Sequence, residues 1–199
     1  MLAYVFWHRP REGVSAETYE QAQIAFHRSL AHAPPMGFCG SAVFRVAELP
    51  WLAPGSASEA QASSYEDWYL LDDYTAMGVL NEAAVGRGHR GAHDEVARRF
   101  GAGAGGLYGL LEGHADLRCE HVVWVSRPPG SKRGALAELL GDGMDPQHAS
   151  LWRRQFVLGP APEYCLLAPE APAGVAPTRL PDGWRALTLA REAVWVTPS

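Results

Sequence analysis

Over residues 2–8 the chain alternates: Val5 and Trp7 fall on one side, and Tyr4, Phe6 and His8 on the other. That period of two predicts a strand. The period then changes. Tyr19, Ala22, Phe26, Leu30 and Ala33 recur at three- and four-residue steps, which predicts an amphipathic helix. Ser15 is placed to cap it, Glu17 suits its first turn, and Val14 and Tyr19 stand where a hydrophobic staple puts them. Pro34-Pro35 ends it. Strand patterning returns over 38–47 and 65–72. Asp73 caps a helix to about Val85, Gly86-Arg87-Gly88 breaks it, a second helical piece runs from about His89 to Phe100, and 106–114 is strand. The order β-α-β-β-α-β is the ferredoxin-like split unit. Residues 50–64, rich in Pro, Ser, Ala and Gly, read as a long loop.

The pattern then starts again. Tyr4-Val5-Phe6-Trp7 returns as His121-Val122-Val123-Trp124, Arg9-Pro10 as Arg127-Pro128, and Gly13 as Gly130 at the same offset as Trp7 to Trp124. Glu66-Asp67-Trp68 is echoed by Asp182-Gly183-Trp184 at an offset one residue shorter. Repetition at a steady offset predicts two copies of one α+β unit, 1–115 and 116–199. In the second copy, strands are expected at 119–126, 163–168, 184–189 and 193–197. Helices are expected at 132–141 and near 146–156, and a Pro-rich loop at 169–181. This copy ends early, short of its second helix. The expected fold is therefore α+β: two tandem ferredoxin-like units facing each other as an α+β barrel, the second truncated.

Composition narrows the function classes. The 199 residues are 47% hydrophobic and 20% charged, ordinary for a soluble protein with a sizeable core. The net charge is −5, the single lysine is Lys132, and no basic block occurs. Nucleic-acid and anionic-membrane partners both need a basic footprint, so neither is expected. No apolar run approaches the ~18 residues of a membrane-spanning helix. Cys39, Cys119 and Cys165 form no CxxC, which fits a reducing cytoplasm.

Arg9-Pro10, then Ser15-Ala16-Glu17-Thr18-Tyr19, then His27 resembles the EthD-like branch of the dimeric α+β barrel superfamily. At Ala22-Gln23 the chain departs from the family, which often has an aromatic pair there. The resemblance covers roughly residues 1–115, with a fainter echo over 119–190. It implies a pocket between sheet and helices. It also implies relatives that are cofactor-free monooxygenases, isomerases, lactone-processing enzymes or haem proteins. It does not imply a reaction.

The face carrying Tyr4, Phe6 and His8 is aromatic with polar tips, the mixture that lines small-molecule pockets. His8 is a candidate acid or base, set against a partly exposed strand-end histidine. His27 lies about 80° round its helix from the buried stripe, at roughly 100° per residue. The resemblance raises its standing. Tyr69 is a candidate donor to a carbonyl or phenol oxygen. Arg45 and Trp68 are candidate ligand contacts, against surface pairing for Arg45 with Glu48 and a core role for Trp68.

Other motifs have plainer readings. His89 and His93 have the i, i+4 spacing of a metal pair but no evident third ligand, so no metal is expected. Gly101, Gly103 and Gly106 satisfy G-x-G-x-x-G, but with a helix before and a strand after, so they read as a flexible turn. Pro128-Pro129-Gly130-Ser131-Lys132-Arg133 has the strand–loop–helix order in which amides and Lys132 hold an anion, yet it lacks the P-loop pattern and reads as a helix start.

Three functional readings stand. The first is a cofactor-independent enzyme acting on an apolar or aromatic compound, with His8, His27 and Tyr69 catalytic and Tyr4, Phe6, Arg45 and Trp68 binding. The second is a non-catalytic ligand-binding or interaction protein, and the third a haem protein. The partner is a small molecule, and the chain is a monomer or homodimer.

Overall fold

In a computed structural model, the structure describes residues 1–47, 49–52, 63–86, 88–132, 134–140, 144–157, 161–170 and 180–198. Most of the two loops expected at 50–64 and 169–181, together with Glu48, lies outside these residues. The first half runs β1 (Leu2–Pro10), α1 (Ala16–His32), β2 (Phe38–Val46), β3 (Ser64–Leu71), α2 (Tyr74–Ala84), α3 (Arg90–Arg99) and β4 (Phe100–Gly113). The second runs β5 (His121–Ser126), α4 (Ala135–Leu140), β6 (Ser150–Val157), β7 (Tyr164–Ala168), β8 (Arg185–Ala190) and β9 (Glu192–Val196).

The strands form one sheet, in the order β8-β5-β7-β6-β4-β1-β3-β2-β9, and every pairing is antiparallel. Only Arg191 separates β8 from β9, although they sit at opposite ends of that order. The sheet therefore curls until its two ends meet in one run of chain. The curled sheet has an inner and an outer face, and period two sorts the side chains between them. Val5 and Trp7 of β1 and Trp68 of β3 go inward, where they meet Trp124, Trp152 and Leu167 from the second half. Tyr4 of β1 and Tyr69 and Leu71 of β3 go outward, towards the helices.

At the centre of the inner face is a buried carboxylate. Glu66 accepts from the indole N–H groups of Trp7 (3.2 Å), Trp124 (2.9 Å) and Trp68 (2.6 Å). The buried guanidinium of Arg191 lies 3.6 Å away. Burial pushes the Glu66 carboxyl up, and Arg191 and the three indoles oppose that. All four neighbours are donors, so the geometry suits the ionised form. Arg191 also donates to the carbonyls of Cys119 and Leu117 and lies 3.9 Å over the Phe44 ring, which fixes the turn from β8 into β9.

Local rules account for the helices. Ser15 accepts from the Thr18 amide at 3.2 Å and caps α1, with Val14 packed near Tyr19 as a staple. Asp73 caps α2 by accepting from the Ala76 amide at 2.9 Å.

Several expectations need correction. Residues 150–157 are a strand and not a helix: Trp152 packs inward and Leu151 outward, and the segment bridges β4 and β7. Among the described residues the second half thus has five strands, and β8 pairs with β5 as β4 pairs with β1. Trp184 precedes β8 and stacks on Tyr164, whereas Trp68 lies within β3 on the inner face, so the two do not occupy matching places.

The glycine-rich stretch is also strand, part of β4, and not a turn. A Cβ on Gly103 would stand 2.8 Å from the Phe6 ring, the Phe100 ring and the Trp7 carbonyl, and one on Gly105 would stand 2.7 Å from the Tyr4 hydroxyl. The glycines let aromatic rings lie flat on the strand. Gly103→Val is expected to destabilise the fold by ~1–3 kcal/mol through overpacking. Urea denaturation would show this, and an unchanged midpoint would contradict the close seating.

Candidate functional site

The aromatic outer face of β1 and its neighbour β3 form the floor of a cavity of about 300 Å³, roofed by α1, α2 and α3. Tyr4, Phe6, Phe26 and Phe100 supply rings. Met77, Leu80, Ala84, Val96 and Ala97 supply the rest of the apolar wall. Phe6 stacks on Phe100 with ring centroids 5.6 Å apart, and Tyr4 stacks on Tyr69 at 5.9 Å. The polar lining is Gln23, Asp67, Tyr69, Asn81 and His93.

Behind the polar end is a buried network centred on Asp67. His8 Nε2 lies 2.9 Å from Asp67 Oδ1, an ion-pair distance without hydrogen-bond alignment. His27 Nε2 lies 3.4 Å from Asp67 Oδ2. The Tyr69 hydroxyl lies 3.2 Å from Asp67 Oδ2 and 3.2 Å from His27 Nε2. On the far side, His27 Nδ1 meets the Ser41 hydroxyl at 2.8 Å, and His8 Nδ1 meets the Tyr19 hydroxyl at 2.7 Å. The Gln23 amide nitrogen is 3.3 Å from His8 Nε2, while its Oε1 is buried with no partner.

Burial alone would push the Asp67 carboxyl up. His8 and His27 outweigh it and hold Asp67 below the usual carboxylate range, so it is ionised. Burial, and then the nearby Asp67 charge, push the hydroxyls of Tyr69, Tyr19 and Tyr4 up, so all three are neutral donors at ordinary pH. The arrangement is one fixed negative charge, two imidazoles and neutral phenols beside an apolar space. It can bind a ring and take up a proton.

The structure brings together Tyr4, Phe6, His8, His27 and Tyr69. His8 and His27 stand behind Asp67 and do not line the cavity. Trp68 lies on the inner face, on the opposite side of β3 from Tyr69. Arg45 is held by Glu20 at 2.6 Å and Glu192 at 2.8 Å, away from the cavity. Sequence reasoning missed Asp67, Gln23 and Ser41 as site residues. For Asp67 a signal existed: a carboxylate on the Tyr69 face of a strand flanked by bulky aromatics is costly to bury unless cations or donors meet it.

His89 turns away to the Ser29 hydroxyl at 3.1 Å, while His93 lines the cavity edge-on to Phe26. Among the described residues no group of three or more metal-ligating side chains gathers, and no helix is long and apolar enough to cross a membrane.

No protein-family model matches the chain, and no curated protein matches its sequence. Solved structures match its shape. An anthrone oxidase-like protein aligns over 100% of this chain and 95% of its own, with a TM-score of 0.55 and 9% identity. A provisionally assigned monooxygenase from Lactobacillus acidophilus NCFM aligns over 98% and 94%, at 0.51 and 9%. A provisionally assigned chlorite dismutase aligns over 97% and 95%, at 0.50 and 11%. The chain shares its overall fold with these proteins. At such identities the likeness is one of fold, and the chain's chemistry has to be argued from the Asp67 network itself.

Proposed function

We propose that the chain is a cofactor-independent enzyme of the EthD-like kind, which binds an apolar or aromatic compound in the outer cavity and removes a proton from it. The observation that carries this reading is the Tyr69 hydroxyl, which faces the cavity on one side and reaches both His27 Nε2 and Asp67 on the other.

The step is a relay. A C–H or O–H bond of the substrate breaks and its proton joins the Tyr69 oxygen, while the Tyr69 proton passes to Asp67 Oδ2, to which that hydroxyl already donates. The electron pair stays on the substrate, delocalised onto a ring or carbonyl oxygen. The two transfers are concerted, because a tyrosinate beside ionised Asp67 is disfavoured. The Ser41 hydroxyl donates to His27 Nδ1, which turns Nε2–H towards Asp67. His8 and Gln23 position Asp67, and the neutral Tyr4 hydroxyl can donate to the developing oxyanion. Returning the proton at another carbon completes an isomerisation. Capture of the anion by dioxygen, with one oxygen atom entering the product and the other leaving as water, completes a monooxygenation.

The same reading takes the chain as two fused ferredoxin-like units, 1–115 and 116–199. The orders β4-β1-β3-β2 and β8-β5-β7-β6 support it, as does the meeting of Trp7 and Trp124 on one Glu66 oxygen. The names of the structural neighbours make anthrone a suitable probe. Anthrone and 1-naphthol are expected to raise the melting temperature saturably. Ala84→Trp, which fills the cavity from α2, is expected to abolish both shifts while keeping the unliganded melting temperature within a few degrees. Equal shifts in the variant, or none in the wild type, would remove the cavity as the binding site.

A further inference from the structure

The second half carries a separate polar pocket of about 190 Å³, lined by Arg127, Arg153, Arg154, Gln155, Glu163 and Tyr164. Its charges do not balance. Arg154 pairs with Glu163 at 3.2 Å, and the other Glu163 oxygen accepts from the Arg127 amide. The Arg127 guanidinium donates to the Ser131 carbonyl and hydroxyl, which are neutral. Arg153 has no ion pair among the described residues, and its Nε is buried without a hydrogen-bond partner. Three guanidinium groups thus share one small space with a single carboxylate, Glu163, whose ion pair is with Arg154, in a chain of net charge −5. Both lie close enough to Tyr164 to oppose, electrostatically, the effect of burial on its hydroxyl.

A guanidinium whose buried Nε has no partner is costly, and like charges in one pocket repel. An oxyanion removes both costs at once, since guanidinium N–H groups match the paired oxygens of phosphate or carboxylate. We infer that this pocket is an anion-binding site for a small oxyanion, either inorganic phosphate or the carboxylate of a small molecule, gripped by Arg153 and Arg127 and independent of the outer cavity. The loop at Pro128–Lys132 contributes by folding back through Ser131 to hold Arg127 in place, and not through the lysine that drew attention to it in the sequence.

The test is calorimetric titration of the full chain with sodium phosphate and with sodium acetate against chloride at constant ionic strength, alongside thermal melting. Saturable binding of phosphate or acetate is expected, and the tighter of the two identifies the ligand chemistry. Arg153→Gln is expected to weaken that binding about tenfold or more, the loss of one charged hydrogen-bonding partner. The same variant in chloride alone is expected to melt no lower than the wild type, because one of two repelling charges has gone. A purely structural arginine would show the opposite. Binding no better than chloride, or equal affinity in Arg153→Gln, would overturn the site.

Discussion

Replacing Tyr69 with Phe is expected to slow turnover of a carbon acid such as anthrone by ~10²–10⁴-fold, the usual worth of a positioned proton-transfer group. The ring is kept, so stacking on Tyr4 and on His27 survives and substrate affinity changes little. Only the hydroxyl that links the cavity to Asp67 is lost. A drop confined to kcat, read with anthrone disappearance by absorbance, would place the residue in the transition state and not in ground-state binding. Asp67→Asn should fall as far, since it removes the final acceptor. Combining the two changes should cost no more than either alone, because they interrupt one relay. Additive losses would mean that Tyr69 and Asp67 act separately.

The largest stability loss is expected on the inner face. Glu66→Ala removes the acceptor shared by three indoles and the counter-charge of Arg191. Stranding a buried guanidinium costs ~3–5 kcal/mol, and each buried donor left unmet adds ~1–3 kcal/mol. Against a typical total of about 5–15 kcal/mol, the variant should lose its fixed aromatic environment, seen as a collapsed near-ultraviolet circular dichroism signal. Glu66→Leu with Arg191→Met removes both charges together and should recover part of the stability. If Glu66→Ala kept its near-ultraviolet spectrum and melted within about 5 °C of the wild type, the Glu66 cluster would not be what ties the two halves together.

These two sites differ in how far the sequence disclosed them. The outer face was legible because β1 alternates cleanly, so Tyr4, Phe6 and His8 had to share a side, and the helix stripe brought His27 near them. Strand parity also separates Tyr69 from its neighbour Trp68, which therefore cannot both line one cavity. Asp67 stood out only as a carboxylate on an otherwise apolar strand face, and its partners did not, because they are histidines distant in sequence. The inner cluster was hidden for the same reason: Glu66 meets Trp124 and Arg191 only after the sheet has curled. Segment 100–106 misled because glycine density reads as a turn, and the reason for the glycines, rings laid across the strand, is tertiary. Segment 150–157 misled because it buries residues on both faces, which blurs its period.

The measurement that tests the outer cavity most directly is a crystal structure of the chain with anthrone bound. The account predicts the ring system between Phe6 and Leu80, with its oxygen or acidic carbon within hydrogen-bond or contact distance of the Tyr69 hydroxyl. Anthrone seated elsewhere, or a cavity closed by side chains with no ligand in it, would contradict the account.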